Sequence, residues 1–195
     1  MKVLVPTMLA MDVLIKEDNM LLVNLYGAPG AGKSTGAAYI FSQLKMHGAN
    51  AELITEFAKD KTWEENETAL SNQAYIFGKQ YYRITRCADK VDIIVTDSPL
   101  LLSTIYNHDP VLGEDFNKMV KNVANSFESL NYYIKRVKPY NPAGRNQDEA
   151  GSDAIADEVL DMLDREGIRY GVFDGNIEGY TDIVNEIMQW NAHNK

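Results

Sequence analysis

The sequence predicts an α/β fold: a five-stranded, mostly parallel sheet flanked by helices. Three observations carry that expectation. From residue 20 onward, apolar runs of strand length alternate with longer stretches of helical periodicity, as in a chain of βαβ units. The 195 residues are 45% hydrophobic and 24% charged, which suits one domain with a continuous sheet core. A glycine-rich turn at residues 27–35 joins the first strand-like run to the first helix-like one.

The elements follow in order. Residues 21–26 (LLVNLY) read as the first strand, ending at Gly27. From Lys33, the apolar residues Ala37, Ile40, Phe41 and Leu44 recur at helical spacing until Gly48 supplies a stop. Residues 51–55 form a second strand. Residues 64–87 read as one helix with a stripe through Ala69, Gln73, Phe77, Gln80 and Ile84, despite Gly78. A third strand at 92–96 stops at Asp97-Ser98-Pro99, because proline cannot donate to a ladder. A helix over 113–128 and a strand over 132–135 come next.

Residues 136–151 hold two prolines and two glycines and break every period, which marks a loop longer than usual and a candidate lid. A helix at 152–166, a strand at 169–173 and a helix at 177–190 complete five β/α units. The domain organisation is an arm, residues 1–19, followed by one domain over 20–195. The arm reads either as an appendage or as upstream sequence translated from an early start codon. Its Leu4, Leu9, Val13 and Leu14 leave three arrangements open: packing on a sheet edge, a homodimer contact, or mobility.

Charge and composition exclude several classes. Acidic residues number 28 against 19 basic, a formal charge of −9, so a broad nucleic-acid groove is disfavoured and phosphate binding must be local. The lone Cys87 cannot form an internal disulfide, and His47, His108 and His193 have no ligand spacing. The apolar tract at residues 3–15 is interrupted by Pro6, Thr7 and Asp12 and is shorter than the roughly 20 residues of a membrane span. No cleavage site follows it, so a cytoplasmic location is expected.

Gly27-Ala28-Pro29-Gly30-Ala31-Gly32-Lys33-Ser34-Thr35 matches G-x-x-x-x-G-K-[ST] between a strand and a helix, the context that this phosphate-binding loop requires. The glycines let the backbone turn tightly around phosphate oxygens, and the helix N-terminus adds partial positive charge. Lys33 is expected to bridge the β- and γ-phosphates of ATP, Ser34 to place its hydroxyl on Mg²⁺, and Thr35 to bond on the α-phosphate side. The fold expected is therefore that of P-loop NTPases.

Asp97 ends an apolar strand, Ile93-Ile94-Val95-Thr96, and parallel strands all end on the ligand side. It is a candidate to orient Mg²⁺-bound water or contact the acceptor hydroxyl. Glu56, just past the second strand, is a candidate base that aligns an acceptor hydroxyl and takes its proton. Lys135, Arg136, Lys138 and Arg145 form a basic segment without acids, whereas residues 147–169 hold eight acids and two arginines. Arg136 and Arg145 are thus candidates to fold over the transferring phosphoryl group. Gln73, Phe77 and Gln80, amides beside an aromatic platform, suit a planar base or nicotinamide ring.

In this order the motifs at residues 27–35, Thr55-Glu56-Phe57-Ala58-Lys59, residues 73–81, and Thr96-Asp97-Ser98-Pro99-Leu100 with Ser103 and Tyr106 form a recognisable set. Over about residues 21–175 the chain resembles the kinase domain of bacterial nicotinamide-riboside kinases and the related small phage P-loop ATP-binding proteins, an AAA-type, nucleoside-kinase-like group. It is similar, more loosely, to deoxynucleoside kinases, but Asp97-Ser98-Pro99 lacks the arginine of their D/E-R-S segment. The resemblance implies a free-standing, phage-encoded kinase without an adenylyltransferase domain.

The leading expectation is ATP-dependent phosphorylation of a hydroxyl on a nucleoside-like small molecule. A polynucleotide or modified-base DNA kinase is the second reading. The third is a P-loop switch that hydrolyses ATP to regulate a partner. No guanine-selecting N-K-x-D is seen, and the chain is short for a full AAA+ module with its own lid domain.

Overall fold

The computed structural model describes residues 20–141 and 148–193. The arm of residues 1–19, and Arg145 within the long loop, lie outside the described residues. Strand β1 (Leu21–Tyr26) is the central strand. It pairs in parallel with β3 (Ile93–Thr96) on one side and β4 (Glu128–Lys135) on the other. Strand β2 (Ala51–Ile54) flanks β3 and β5 (Gly171–Asp174) flanks β4, so the order is β2-β3-β1-β4-β5. All these pairings are parallel, where the sequence led us to expect a mostly parallel sheet. Every strand therefore ends at one edge of the sheet. Both neighbours of β1 come later in the chain, which makes its carboxyl end the topological switch point.

Period-2 alternation sorts β1 into two faces, both covered, which is why the strand is apolar throughout. Leu21, Val23 and Leu25 pack with Ile40 and Leu44 of α1 (Lys33–Met46) and with Ile183 and Ile187 of α8 (Ile177–His193). On the opposite face, Leu22 meets Phe77 and Ile84 of α4 (Gln73–Thr85) and Phe116 and Val120 of α6 (Gly113–Ala124). Tyr26 meets Val159, Met162 and Leu163 of α7 (Glu149–Arg165). Each such aliphatic side chain, fully buried, contributes roughly 1.5–3 kcal/mol relative to exposure. Among the described residues no helix is long and apolar enough to cross a membrane.

The stretch expected as one helix over 64–87 is two helices, and a third that was not expected precedes it. Helix α2 (Phe57–Trp63) begins directly after β2, and a turn follows in which Glu65 takes φ 53°. Asn66 then caps α3 (Glu67–Leu70) by accepting from Ala69 N–H, and Asn72 caps α4 by accepting from Tyr75 N–H at 2.9 Å. Two asparagine caps in seven residues restart the chain twice, a local effect that apolar periodicity does not register. Helix α6 stops at Ala124 rather than at 128, because β4 must begin at Glu128 to pair with Leu21 at the start of β1. Helix α1 stops as expected, with Gly48 N–H bonded to the Lys45 carbonyl and Ala49 N–H to that of Leu44. A short helix, α5 (Leu102–Ile105), follows the Asp97-Ser98-Pro99 turn.

Candidate functional site

At the carboxyl end of β1 the chain turns through Gly27 (φ 138°), Gly30 (φ 82°) and Gly32 (φ 101°) before entering α1. Two of these positions exclude a side chain outright. A Cβ on Gly27 would stand 2.6 Å from the Ile134 carbonyl oxygen of β4, and one on Gly32 would run into the Tyr180 hydroxyl of α8. That hydroxyl donates to the Gly32 carbonyl at 3.0 Å, so α8 clamps the loop where it becomes a helix. The Lys33 ammonium donates to the carbonyls of Gly27 (2.8 Å) and Ala28 (3.0 Å), which places its charge across the mouth of the turn. Helix α1 has no acidic residue in its first turn, so nothing there competes with an anion for its N-terminus.

Glu56 and Asp97 sit on neighbouring strand ends, after β2 and β3. Glu56 N–H donates to Asp97 Oδ1 at 2.9 Å, and Asp97 is 2% exposed. Burial pushes the Glu56 carboxyl above the usual carboxylate range. The Lys33 ammonium opposes that shift and the Asp97 charge adds to it. Gln80, buried in α4, ties the two strand ends together. Its Oε1 accepts from Phe57 N–H at 3.0 Å and its Nε2 donates to Thr96 Oγ1 at 3.4 Å.

These groups share one cleft of about 440 Å³. It is lined by most of the loop, by Lys33, Ser34 and Thr35, and by Glu56, Asp97, Gln73 and Gln80. Ala28 and Ala31 lie buried beneath the loop. Phe77 faces away from the cleft, into the core, stacked on Tyr81 at 5.9 Å and edge-on to Phe116 at 5.8 Å. Arg136 does not line the cleft either. Its guanidinium is bound to Ser152, Asp153 and Glu149 at the start of α7.

Other lining residues carried no expected role: Lys59, Thr62, Leu70, Ile76, Tyr106 and Lys138. Lys59 and Thr62 lie on α2, so recognising a helix directly after β2 would have found them. The Tyr106 phenol is pushed up to about 12 by burial and by the charges of Glu56 and Glu158, so it stays a hydrogen-bond donor throughout the physiological range.

A Mg²⁺ ion fits this donor set. Among the described residues no three His, Cys, Asp or Glu side chains cluster as an all-protein cage. Mg²⁺ is instead commonly held by one or two protein oxygens together with waters and nucleotide phosphates, and Ser34 and Asp97, which both line the cleft, offer such oxygens.

No curated protein matches the chain at a significant level. A family model described as an AAA domain matches residues 22–179, from β1 into the first turn of α8, and so takes in the glycine loop, both strand-end carboxylates and the whole sheet. The parallel sheet and the loop at its switch point are those of a P-loop nucleotide-binding domain. This chain belongs to the AAA-domain family of P-loop NTPase-like proteins.

Proposed function

We propose that the chain is an ATP- and Mg²⁺-dependent kinase that transfers the γ-phosphoryl group to a hydroxyl of a nucleoside-like small molecule, of the nicotinamide-riboside or deoxynucleoside type. The observation that carries this reading is Glu56: a half-buried carboxyl, its pKa raised by burial, in the same cleft as Lys33. Hydrolysis alone needs no such chamber. Here the cleft continues past the phosphate loop to a wall of Leu70, Gln73, Ile76 and Tyr106, where an acceptor has room.

In this mechanism Lys33 holds the transferring phosphoryl oxygens while Glu56 orients the acceptor hydroxyl and takes its proton as the new O–P bond forms. The bond to the ADP oxygen breaks in the same displacement. A carboxyl of raised pKa is the better base, and the Lys33 charge opposes the rise, favouring the ionised form. Mg²⁺, when bound, offsets phosphate charge and aligns the phosphates. Ser34 and Asp97 are the residues to hold it. Gln73 and Tyr106 supply polar contacts to the acceptor against the apolar side chains of Leu70 and Ile76.

The test is a panel of nucleosides, nucleoside monophosphates, nicotinamide riboside and DNA and RNA oligonucleotides incubated with γ-labelled ATP. Label in a small-molecule acceptor supports the reading. Label in polymer, with a steep loss of activity as salt rises, would assign a polynucleotide kinase instead. ADP release with no phosphorylated product would assign a regulatory ATPase.

A further inference from the structure

Arg136 carries two acids and a hydroxyl on its fork rather than facing the phosphate site, and the hydroxyl leads back to the loop. Ser152, in the first turn of α7, is fully buried. A helical serine usually returns its hydroxyl to a carbonyl one turn earlier in its own helix. Ser152 Oγ instead donates to the Pro29 carbonyl, 123 residues away, at 2.7 Å. It accepts in turn from Arg136 Nη1 at 3.1 Å. The other arm of the guanidinium is held by Asp153 at 2.6 Å and Glu149 at 3.5 Å, and its Cζ lies 5.5 Å from the centre of the Tyr140 ring. Asp148 caps α7 by accepting from Gly151 N–H at 2.8 Å, which fixes the turn that presents Ser152.

Pro29 has no N–H to offer a phosphate, so its carbonyl is its one polar backbone group. An acceptor oxygen turned into a phosphate nest would repel the anion, and a donor on its far side holds it out. The hydroxyl has a single proton. Accepting from a cation while donating to Pro29 polarises it and strengthens the bond.

We propose that Arg136 and Ser152 are positioning residues that act in series, Arg136 through Ser152 and Ser152 through the Pro29 carbonyl, to hold the loop in its phosphate-binding form. On this proposal Arg136 does not touch the γ-phosphate. The claim concerns nucleotide binding and stands whether or not the chain is a kinase.

The experiment measures ADP and ATP affinity by calorimetry for wild-type protein, Arg136→Ala, Ser152→Ala and the double variant. Thermal melting without nucleotide identifies any variant that fails to fold. The relay predicts that Ser152→Ala and Arg136→Ala each weaken ADP and ATP alike, by about three- to tenfold, the worth of one hydrogen bond. It further predicts that the double variant is no worse than Ser152→Ala alone, because the two residues share one path. Arg136→Lys, which keeps the charge but not the fork, should restore less than half of the lost affinity.

A loss in Arg136→Ala confined to ATP would show contact with the γ-phosphate and overturn the proposal. So would additive losses in the double variant, or unchanged affinity in folded Ser152→Ala. If Ser152→Ala does not fold, equal ADP and ATP losses in Arg136→Ala carry the proposal and an ATP-selective loss sinks it.

Discussion

The backbone N–H of Glu56 donates to Asp97 Oδ1 at 2.9 Å, so one hydrogen bond links the two acidic residues that end β2 and β3. The register beneath them is set by the ladder, in which Ile54 pairs with Thr96. Asp97 thus acts twice, as the acceptor that starts α2 and as a carboxylate in the cleft.

Asp97→Asn and Asp97→Ala separate those two roles. Asparagine keeps an oxygen for Glu56 N–H and loses the charge, so phosphoryl transfer is expected to fall at least a hundredfold with stability within about 1 kcal/mol of wild type. Alanine leaves the N–H without its acceptor and is expected to cost a further 1–3 kcal/mol, roughly the penalty for an unmade buried hydrogen bond. Denaturant unfolding beside turnover measures both.

Glu56 makes a prediction in pH. Its folded-state pKa is raised by burial, so its favourable contribution to stability is present below the unfolded carboxylate range and is lost as pH rises through the folded value. Glu56→Gln should therefore melt higher than wild type at pH 8, with the gain vanishing near pH 4, while transfer is lost. In the wild type the acid limb of kcat/KM should lie above the ordinary carboxylate range, since the base must be ionised. A limb near pH 4 would separate Glu56 from the proton transfer.

The two glutamines of α4 are expected to differ. Gln80 bonds both Phe57 N–H and Thr96 Oγ1 from a buried position, so Gln80→Ala should destabilise the fold by about 2–4 kcal/mol through lost packing and the stranded Phe57 N–H. Gln73 lines the cleft and holds the Leu70 carbonyl at only 3.4 Å. Gln73→Ala should leave the melting temperature nearly unchanged and raise KM for the acceptor, but not for ATP. Equal KM changes for both substrates would remove Gln73 from the acceptor side.

The Tyr180 clamp can be tested without touching the glycine loop. Tyr180→Phe removes one hydroxyl from the Gly32 carbonyl and is expected to cost about 1 kcal/mol and weaken nucleotide binding several-fold. Gly32→Ala adds a methyl at φ 101° against the same hydroxyl and should do more harm than that, in both stability and affinity.

What the sequence made legible was local. Residues 27–35 carry their geometry in their own composition, and strand ends on one side of a parallel sheet follow from topology, so Lys33, Glu56 and Asp97 come together as expected. What it concealed was direction. Gln73, Phe77 and Gln80 share a helical stripe, yet only Gln73 and Gln80 reach the cleft while Phe77 turns to the Phe116 core, so Phe77 became packing and Gln80 also a tie between strands. Arg136 reads as a free cation in a basic segment. Its orientation is set by Glu149 and Asp153, which lie across the long loop and cannot be paired with it from spacing alone. The break between α3 and α4 rests on an asparagine cap, a signal weaker than the apolar period that overran it, and α2, set off by the Glu65 turn and the Asn66 cap, lies before the expected helix.

The central claim is that the cleft delivers phosphate to a small hydroxyl acceptor with Glu56 as base. The most direct measurement is the partition of label from γ-labelled ATP between a nucleoside-like acceptor and inorganic phosphate, in wild type and in Glu56→Gln. The account predicts that wild type places most of the label on the acceptor and that Glu56→Gln loses this product at least a hundredfold while still binding ATP. Label found only in inorganic phosphate with every acceptor, at a rate unchanged in Glu56→Gln, would contradict it.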